Sequence, residues 1–367
     1  MPGTINHACS TDDTVPLGMW LYSLPQGSPG KQTTVNFGSG CYLVSGTLLL
    51  RDFRYFVFEG GKFEQRTPVD GEFSPVGPDR PAYCGSDAYT SSRSVTLTLE
   101  KLVLMFLMEG GCYLTFKDMS FTGDNRAGGV YKSEQDTFLT FAGSQYALVD
   151  QVRMRNPFGD YVDAQSLHEV PGGLAYKYPA TNVTVEDSTF RGSGRQAIGI
   201  ILANHISVEH NRILSAWETV FDVESDVIGG YQTDIRIDDN TVVGEHYDYL
   251  LSAQTGAQVD RLQFDGNHMI DGAQMRIVVV DHLPGDDVEI NDNSASAVST
   301  ASDGRQPAIR IQGITASGIE IENDTAPNDV AGFDSVPAGS LVCQDGAGTA
   351  KCPVSSPVTS PAVAVLP

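Results

Sequence analysis

A short pattern of alternating apolar residues followed by asparagine recurs along this chain and strongly limits its possible folds. It reads VEHNRI, IDDNTV, FDGNHM and INDNSA, starting at residues 208, 237, 264 and 290. The asparagines lie 29, 27 and 26 residues apart, at Asn211, Asn240, Asn267 and Asn293. Alternation with a period of two is typical of strands, and the polar break is typical of a bend. The pattern therefore predicts a bend repeated at nearly constant intervals.

A second apolar segment follows most copies, as in QAIGII (196–201), VFDVES (220–225) and MRIVVVD (275–281). Several short strands per repeat, without a helical pattern between them, are typical of one coil of a parallel β-solenoid. Successive coils then stack about 4.8 Å apart, and the repeated asparagines should form a hydrogen-bonded ladder. A leucine-rich repeat would need a tighter leucine period, and a β-sandwich would place turns closer together. We therefore predict an all-β solenoid.

The two ends of the chain differ from this repeat. The segment TDDTVPLGMWLYSLPQG predicts a short helix, with the side chain of Asp13 or Thr14 as its N-terminal cap, that covers the open end of the solenoid. The last residues, rich in Pro, Ser and Val, are typical of a tail or linker. The predicted organisation is an N-terminal cap at 1–30, the solenoid at 31–330 and a C-terminal extension at 331–367.

Charge and hydropathy exclude several partners. The 367 residues include 46 acidic and 23 basic side chains, a formal charge of −23. Binding a nucleic acid or an anionic membrane surface requires clustered Lys and Arg, so neither is expected. No apolar run approaches the roughly 18 residues that a membrane-spanning helix needs. The first residues lack the pattern of a secretory signal, so we expect a signal that was removed or release within a virion.

The chain has six cysteines, an even number that is compatible with disulfides. The short separation of Cys343 and Cys352 makes them the most plausible pair. Buried free thiols are the alternative, because a chain of this length does not need disulfides for stability.

The entry into the solenoid resembles the pectate-lyase superfamily of right-handed parallel β-helix proteins. The resemblance lies in Asp-Asp-Thr at 12–14, VNFGSGCYLVSGTLLL at 35–50 and FVFEGG at 56–61. NPFGDYVDA, FRGSGRQAIGI and ETVFDVES are similar to a bacterial and phage group with GDFV, GRQG and FDLE motifs on successive coils. The resemblance covers about residues 10–325. It implies a right-handed β-helix that engages a polysaccharide, as phage tail spikes and minor tail proteins do, often as homotrimers.

Candidate catalytic residues lie on the second-strand segments. If the residues preceding them point inward, Asp163, Gly199 and Asp222 project outward in one column, and Glu224 follows Asp222 along its strand. Asp160 lies at the entry of its strand. Residues i and i+2 of a strand are about 7 Å apart and alternate coils about 10 Å apart, and inverting glycosidases need two carboxyls about 6.5–9.5 Å apart. We therefore predict Asp222 and Glu224 as an acid/base pair, with Asp160 or Asp163 assisting.

Other side chains near these coils are candidates for holding a sugar. Arg195 and Gln196 would orient the substrate, Glu218 shares a column with Arg195, and loop residue His168 is a possible base. Tyrosine and tryptophan rings stack on sugar faces, although many of them serve only as core packing. The predicted substrate-binding set is Arg195, Gln196, Glu218, Tyr161, Trp217, Tyr247 and His168.

Two other functions remain open. A polysaccharide lyase would need a cationic base or a metal, and no lysine falls on the second-strand segments. A structural or receptor-binding virion protein would grip glycan without turnover. No cofactor is predicted, because the sequence lacks a phosphate-binding loop, a Cys-x-x-Cys motif and any calcium-binding loop; clustered Asp would be the one route to calcium. The preferred prediction is a glycosidase-like depolymerase of a phage tail or secreted protein.

Overall fold

The computed structural model describes the first two thirds of the chain with few gaps and the remainder as separate strands. The described residues are 5–66, 72–76, 94–98, 105–125, 136–168, 176–224, 230–244, 249–253, 257–275, 277–280, 287–298, 309–312, 319–322, 331–334 and 341–344. Almost all of them lie in short strands that pair in parallel with the strands one coil earlier and one coil later. The chain is therefore a parallel β-helix, and the predicted fold class is confirmed.

Each coil contributes strands to three walls, named here in chain order. The first wall contains Ala8–Asp12, Thr33–Val44, Arg54–Gln65, Cys112–Lys117, Gln145–Asp150, Thr181–Glu186, Asn204–Glu209, Gly230–Asp238, Ala257–Asp265, Val288–Asn291, Ile319–Glu322 and Leu341–Gln344. The second wall contains Ser120–Thr122, Arg153–Arg155, Thr189–Arg191, Arg212–Ile213, Thr241–Val243, His268–Met275 and Ser294–Val298. Hydrogen bonds join these two walls into one sheet.

The third wall is a separate sheet and carries the candidate site. Its parallel strands are Glu72–Val76, Thr47–Arg51, Phe106–Glu109, Leu139–Ala142, Val162–Gln165, Ile198–Ile201, Thr219–Glu224, Tyr249–Ala253, Ile277–Val280, Ile309–Gln312 and Ala331–Asp334. Ser94–Thr98 pairs antiparallel with Glu72–Val76. A separate two-strand hairpin, Leu167–His168 with Tyr176–Tyr178, follows one third-wall strand. The last strands of the first and third walls extend the solenoid past residue 330, into the segment predicted as a tail.

The repeated asparagines form the predicted ladder at the corner between the first and second walls. Asn240 Oδ1 accepts hydrogen bonds from the backbone N–H of Asn211 at 3.0 Å and from Asn211 Nδ2 at 3.1 Å. Asn267 accepts the same pair from Asn240, and Asn293 accepts it from Asn267. All four side chains are buried, at 0–1% exposure. Each coil thus satisfies the buried polar groups of its neighbour, which is the physical reason for the sequence repeat.

In the core of the solenoid, similar apolar residues of successive coils stack on one another. Phe56, Phe58 and Phe116 are fully buried, and the Phe58 and Phe116 rings stack at 4.7 Å between adjacent coils. Farther along, Ile206 of the first wall aligns with Ile235 and then with Leu262. Alternate residues of every strand point inward, so apolar residues at a period of two give a continuous core.

The N-terminal helix Thr14–Ser23 packs on this core through Leu17 and Leu21, both fully buried. Its cap differs from the prediction, because Asp12 Oδ1, rather than the side chain of Asp13, accepts the N–H of Thr14 at 3.0 Å. The Asp13 carboxylate instead accepts the N–H of Asn6 at 2.7 Å and ties the chain start to the first coil.

The structure contains a disulfide that the sequence analysis did not predict. Cys9 and Cys41 form a disulfide that fastens the first strand to the next one. No cysteine is free among the residues described, so the alternative of buried free thiols is not supported for them. Cys352 lies outside the described residues, and its pairing with Cys343 stays a prediction. Within the described ranges, no helix has the length and apolar character needed to cross a bilayer.

Candidate functional site

The candidate site lies on the third wall, where three consecutive strands pair in register. Asp163 aligns with Gly199, and Gly199 aligns with Asp222. The inward neighbours Val162 and Phe221 are buried at 0% exposure within the core. Alternation along the strand therefore directs Asp163 and Asp222 to the outer side of the same wall, as predicted from the sequence.

Gly199 is required between the two acids because the Asp163 carboxylate lies over it. A Cβ atom built on Gly199 would lie 2.5 Å from Asp163 Oδ1 and 3.5 Å from Gln196 Oε1. These two oxygens are buried and have no hydrogen-bond partner in the structure. The space over Gly199 is thus lined by hydrogen-bond acceptors that face a small gap, and buried acceptors of this kind usually have a partner.

Arg195 is the positive centre of the site. Its guanidinium contacts Asp160 at 3.3 Å, Glu224 at 3.5 Å and Glu218 at 3.8 Å. Asp160 is fully buried, the Arg195 and Glu224 side chains are 16% and 13% exposed, and Glu218 is 46% exposed. The ion pairs therefore run from a buried end at Asp160 to an open end at Glu218.

Gln196 connects the remaining carboxylates. Its backbone N–H donates to Asp160 Oδ1 at 2.7 Å, and its side-chain amide donates to Asp222 Oδ2. Asp163 accepts a hydrogen bond from the hydroxyl of Thr137, one coil earlier, at 2.8 Å. Sequence reasoning missed Thr137, although it occupies the same strand-entry position in its coil as Asp160 and Gln196 do in theirs.

Burial and charge raise the pKa values of the neighbouring acids Asp160 and Asp163. Burial raises the pKa of Asp160 well above its ordinary value, and the neighbouring Asp163 charge raises it further, against the opposing effect of Arg195. Burial also raises the pKa of Asp163, while Arg195, Thr137 and a hydrogen bond with Asp160 oppose the rise. Two buried carboxyls that hydrogen-bond to each other can share one proton, with one as donor and the other as acceptor. The site thus combines two acids of raised pKa with the positive charge of Arg195.

This pair predicts a pH dependence of stability. In the unfolded chain both carboxyls lose their protons near pH 4, whereas the folded protein keeps a proton to a higher pH. The folded state therefore binds more protons in that window, and the free energy of unfolding should fall as the pH rises from about 4 through the raised pKa of Asp160. Asp163→Asn removes the neighbouring charge and should flatten this slope, measured by denaturant unfolding between about pH 4 and pH 7. An unchanged slope in Asp163→Asn, relative to the exposed control Asp239→Asn, would contradict the shared proton.

The structure brings some predicted binding residues to the site and excludes others. Trp217 is 45% exposed, and its backbone N–H donates to the Arg195 carbonyl at 2.7 Å, which places the residue next to Arg195 in the fold. Tyr161 is fully buried: its ring packs on Phe190 at 5.0 Å, and its hydroxyl donates to the Ser215 carbonyl. The prediction that Tyr161 contacts a sugar is therefore wrong, because it is a core residue.

The two remaining predicted residues are His168 and Tyr247. His168, predicted in a loop, lies in a short strand that pairs antiparallel with Tyr176–Tyr178, opposite Tyr176. Tyr247 lies outside the described residues, so its sugar-binding role stays a prediction.

The described residues offer little for a metal ion. Their one close group of metal-binding side chains is Cys9, Cys41 and Glu64. The two cysteines form a disulfide and are not available as thiolate ligands. At the candidate site, Arg195 supplies the positive charge among the carboxylates. The route to calcium through clustered Asp thus gains no support from the site geometry.

Comparison with known proteins identifies the architecture. No protein-family model and no curated protein matches the sequence. Among solved structures, the chain is similar to a hyperthermoactive exopolygalacturonase from Thermotoga maritima, with a TM-score of 0.55 and 11% identity over 93% of this chain and 85% of that one. It is also similar to PfbA, a surface adhesin of Streptococcus pneumoniae, with a TM-score of 0.52 and 14% identity over 96% and 95% of the two chains.

A third similar structure is a tailspike protein of an Escherichia coli bacteriophage in complex with a hexasaccharide. Its TM-score is 0.50 and its identity 10%, over 93% of this chain and 62% of that one. Identities this low report the fold and leave activity to be argued from the side chains. The chain therefore shares a parallel β-helix fold with these solved structures.

Proposed function

We propose that this protein engages an extracellular polysaccharide and hydrolyses it with inversion at the third wall. The observation that carries the proposal is the alignment of Asp163 and Asp222 on either side of Gly199. Alternate strands of a sheet are about 10 Å apart, and flexible carboxyls at that distance can approach the roughly 6.5–9.5 Å that inversion requires. The glycine between them leaves space for a sugar to approach the backbone.

The proposed roles follow from protonation and exposure. Asp163 serves as the general acid, because burial and its hydrogen bond with Asp160 favour a shared proton. Asp222, assisted by Glu224, serves as the base that activates water. Asp160 is fully buried and acts as a positioning residue through Asp163. The sequence analysis assigned the general acid to the pair Asp222 and Glu224, whereas this proposal assigns it to the pair Asp160 and Asp163.

Substrate orientation is assigned to the open end of the site. Arg195 reaches Glu218 and Glu224 there, and its guanidinium presents hydrogen-bond donors in a fixed plane. Trp217 lies beside it with nearly half of its surface exposed. An exposed indole and a cationic donor on adjoining residues suit a sugar, whose apolar face stacks while its hydroxyls accept hydrogen bonds. The similar exopolygalacturonase and the tailspike in complex with a hexasaccharide support this ligand class.

The proposal is tested by reducing-end release from a panel of cell-wall and capsular polysaccharides. Asp222→Asn and Asp163→Asn should each lower the rate by about 10²-fold or more, because each removes one proton-transfer group. Asp239→Asn is the matched control, since Asp239 is an exposed carboxylate of another coil and should keep the wild-type rate. Full activity in Asp222→Asn, with folding verified by circular dichroism, would refute the assigned roles.

A second function is favoured by one observation, which is the complete burial of Asp160 and Asp222. Such acids serve equally well as buried polar groups that hold three coils together, and the protein would then bind glycan without turnover. Glycan binding without new reducing ends across the panel would select this non-catalytic function. An ultraviolet-absorbing unsaturated product would instead select the lyase. Location in a phage tail or a secreted setting, contact with other tail proteins and assembly as a homotrimer stay predictions.

A further inference from the structure

A stack of three tyrosine rings lies on the outside of the first wall, away from the candidate site. Tyr55, Tyr113 and Tyr146 occupy equivalent positions in successive coils, because the residues on both sides of them pair in register. The rings of Tyr55 and Tyr113 are 4.6 Å apart and 9° from parallel, and those of Tyr113 and Tyr146 are 4.7 Å apart and 2° from parallel. We call these three residues the tyrosine stack.

The backbone turns the tyrosine stack toward solvent. Each of its residues has a left-handed φ, between 54° and 56°. Tyr146 is 46% exposed, and the other two are half-buried. The same left-handed backbone recurs at this corner in later coils, so it belongs to the solenoid turn itself. Later coils place polar residues, such as Asn182 and His205, at the same corner, so the fold itself does not require tyrosine there.

A depression of about 470 Å³ adjoins one end of the tyrosine stack. It is lined by Tyr55, Tyr113, Pro29, Gly30 and Gln32. The lining joins two aromatic rings to a side-chain amide and contains no charged side chain. Ligand sites commonly combine an apolar platform with a few polar groups that fix orientation, and this volume suits a ligand of one or two sugar rings.

The geometry points to this depression as a binding site for neutral hexose units of a glycan, separate from the third-wall site. A pyranose presents an apolar C–H face to an aromatic ring and hydroxyls to groups such as the Gln32 amide and the tyrosine hydroxyls. Polyanions are disfavoured because the lining has no cation and the chain carries a formal charge of −23. The inference goes beyond the proposed function and requires no hydrolysis, since it concerns binding on another wall.

The test measures binding of maltohexaose, cellohexaose and mannohexaose by calorimetry, in an Asp222→Asn background that prevents turnover. Tyr113→Ala, which breaks the middle of the tyrosine stack, should weaken binding of the preferred sugar at least tenfold. Gln32→Ala lies outside the stack and should weaken binding several-fold without lowering the melting temperature. The control is Tyr231→Ala, because Tyr231 lies on the same wall in a distant coil, is as exposed as Tyr146, and its removal should leave binding as in the parent.

Several outcomes would overturn this inference. The first is that none of the three sugars binds the parent. The second is that both Tyr113→Ala and Gln32→Ala bind the sugar as tightly as the parent does. The third is that a proline-rich peptide displaces the sugar, which would assign the aromatic depression to peptide recognition. A loss of melting temperature in Tyr113→Ala with unchanged binding would reduce the tyrosine stack to a structural role. Reducing-end release from the same variants without the Asp222 substitution reports separately on the proposed function.

Discussion

Asn240→Ala is expected to lower the free energy of unfolding by about 3–5 kcal/mol, because each buried polar group left without a partner costs about 1–3 kcal/mol. The side chain of Asn240 accepts two hydrogen bonds from Asn211 and donates to the Val208 carbonyl at 2.8 Å and to Asn267 Oδ1 at 3.0 Å. Alanine removes all four bonds, and water cannot replace them at a residue with 0% exposure. Denaturant unfolding followed by circular dichroism measures the effect.

The adjacent coils supply a matched control. Ser188 occupies the same corner one coil before Asn211, where its hydroxyl accepts the N–H of Val152 at 3.1 Å and donates to the Glu186 carbonyl at 2.7 Å. Asn240→Ser should therefore retain part of the ladder and lose less stability than Asn240→Ala. Equal losses in the two variants would mean that side-chain volume, rather than hydrogen bonding, sets the stability of the corner.

Arg195→Met is expected to cost about 3–5 kcal/mol at pH 7, since removing one partner of a buried ion pair leaves an uncompensated charge. Methionine keeps the length of the side chain but leaves Asp160, Asp163 and Glu224 without their cation. The pKa values of Asp160 and Asp163 should then rise further, so the cost should shrink as the pH is lowered. Reducing-end release should be lost in the same variant. Denaturant unfolding at pH 7 and pH 4.5 measures the loss.

The control for Arg195 is an exposed arginine of the first wall. Arg261 pairs with Asp234 near the surface, where solvent screens the interaction, and Arg261→Met should change stability little at either pH. Arg195→Lys keeps a positive charge but not the planar fork, so it should retain more stability than methionine does and still disturb substrate orientation. A cost for Arg195→Met that is the same at both pH values would contradict the electrostatic explanation.

The regular features of this fold were predictable because every coil of a solenoid must form the same corner. Asn211, Asn240, Asn267 and Asn293 each turn the same corner, and each must satisfy the same buried groups, so the spacing in the sequence reports the coil length directly. The same register argument placed Asp163, Gly199 and Asp222 in one column. Once coils stack in parallel, residues that are distant in the chain become neighbours by periodicity alone.

Side-chain burial was not predictable in the same way. The sequence suggested that Tyr161 could face a sugar, yet it fills the core next to Phe190. It also could not show that Asp160 is fully buried, or that Arg195 reaches from it to Glu218. The burial of a side chain depends on which residues of other coils fill the space around it. A local sequence pattern does not contain this information.

The sequence by itself determined the parallel solenoid, its capping helix and the column of acids, because alternation and coil length follow from backbone geometry. Tertiary structure alone decided which acids have raised pKa values, how Thr137 and Gln196 hold them, and that Tyr55, Tyr113 and Tyr146 stack on another wall. The physical reason is that protonation and stacking depend on distances between coils and on exclusion of water, and packing sets both.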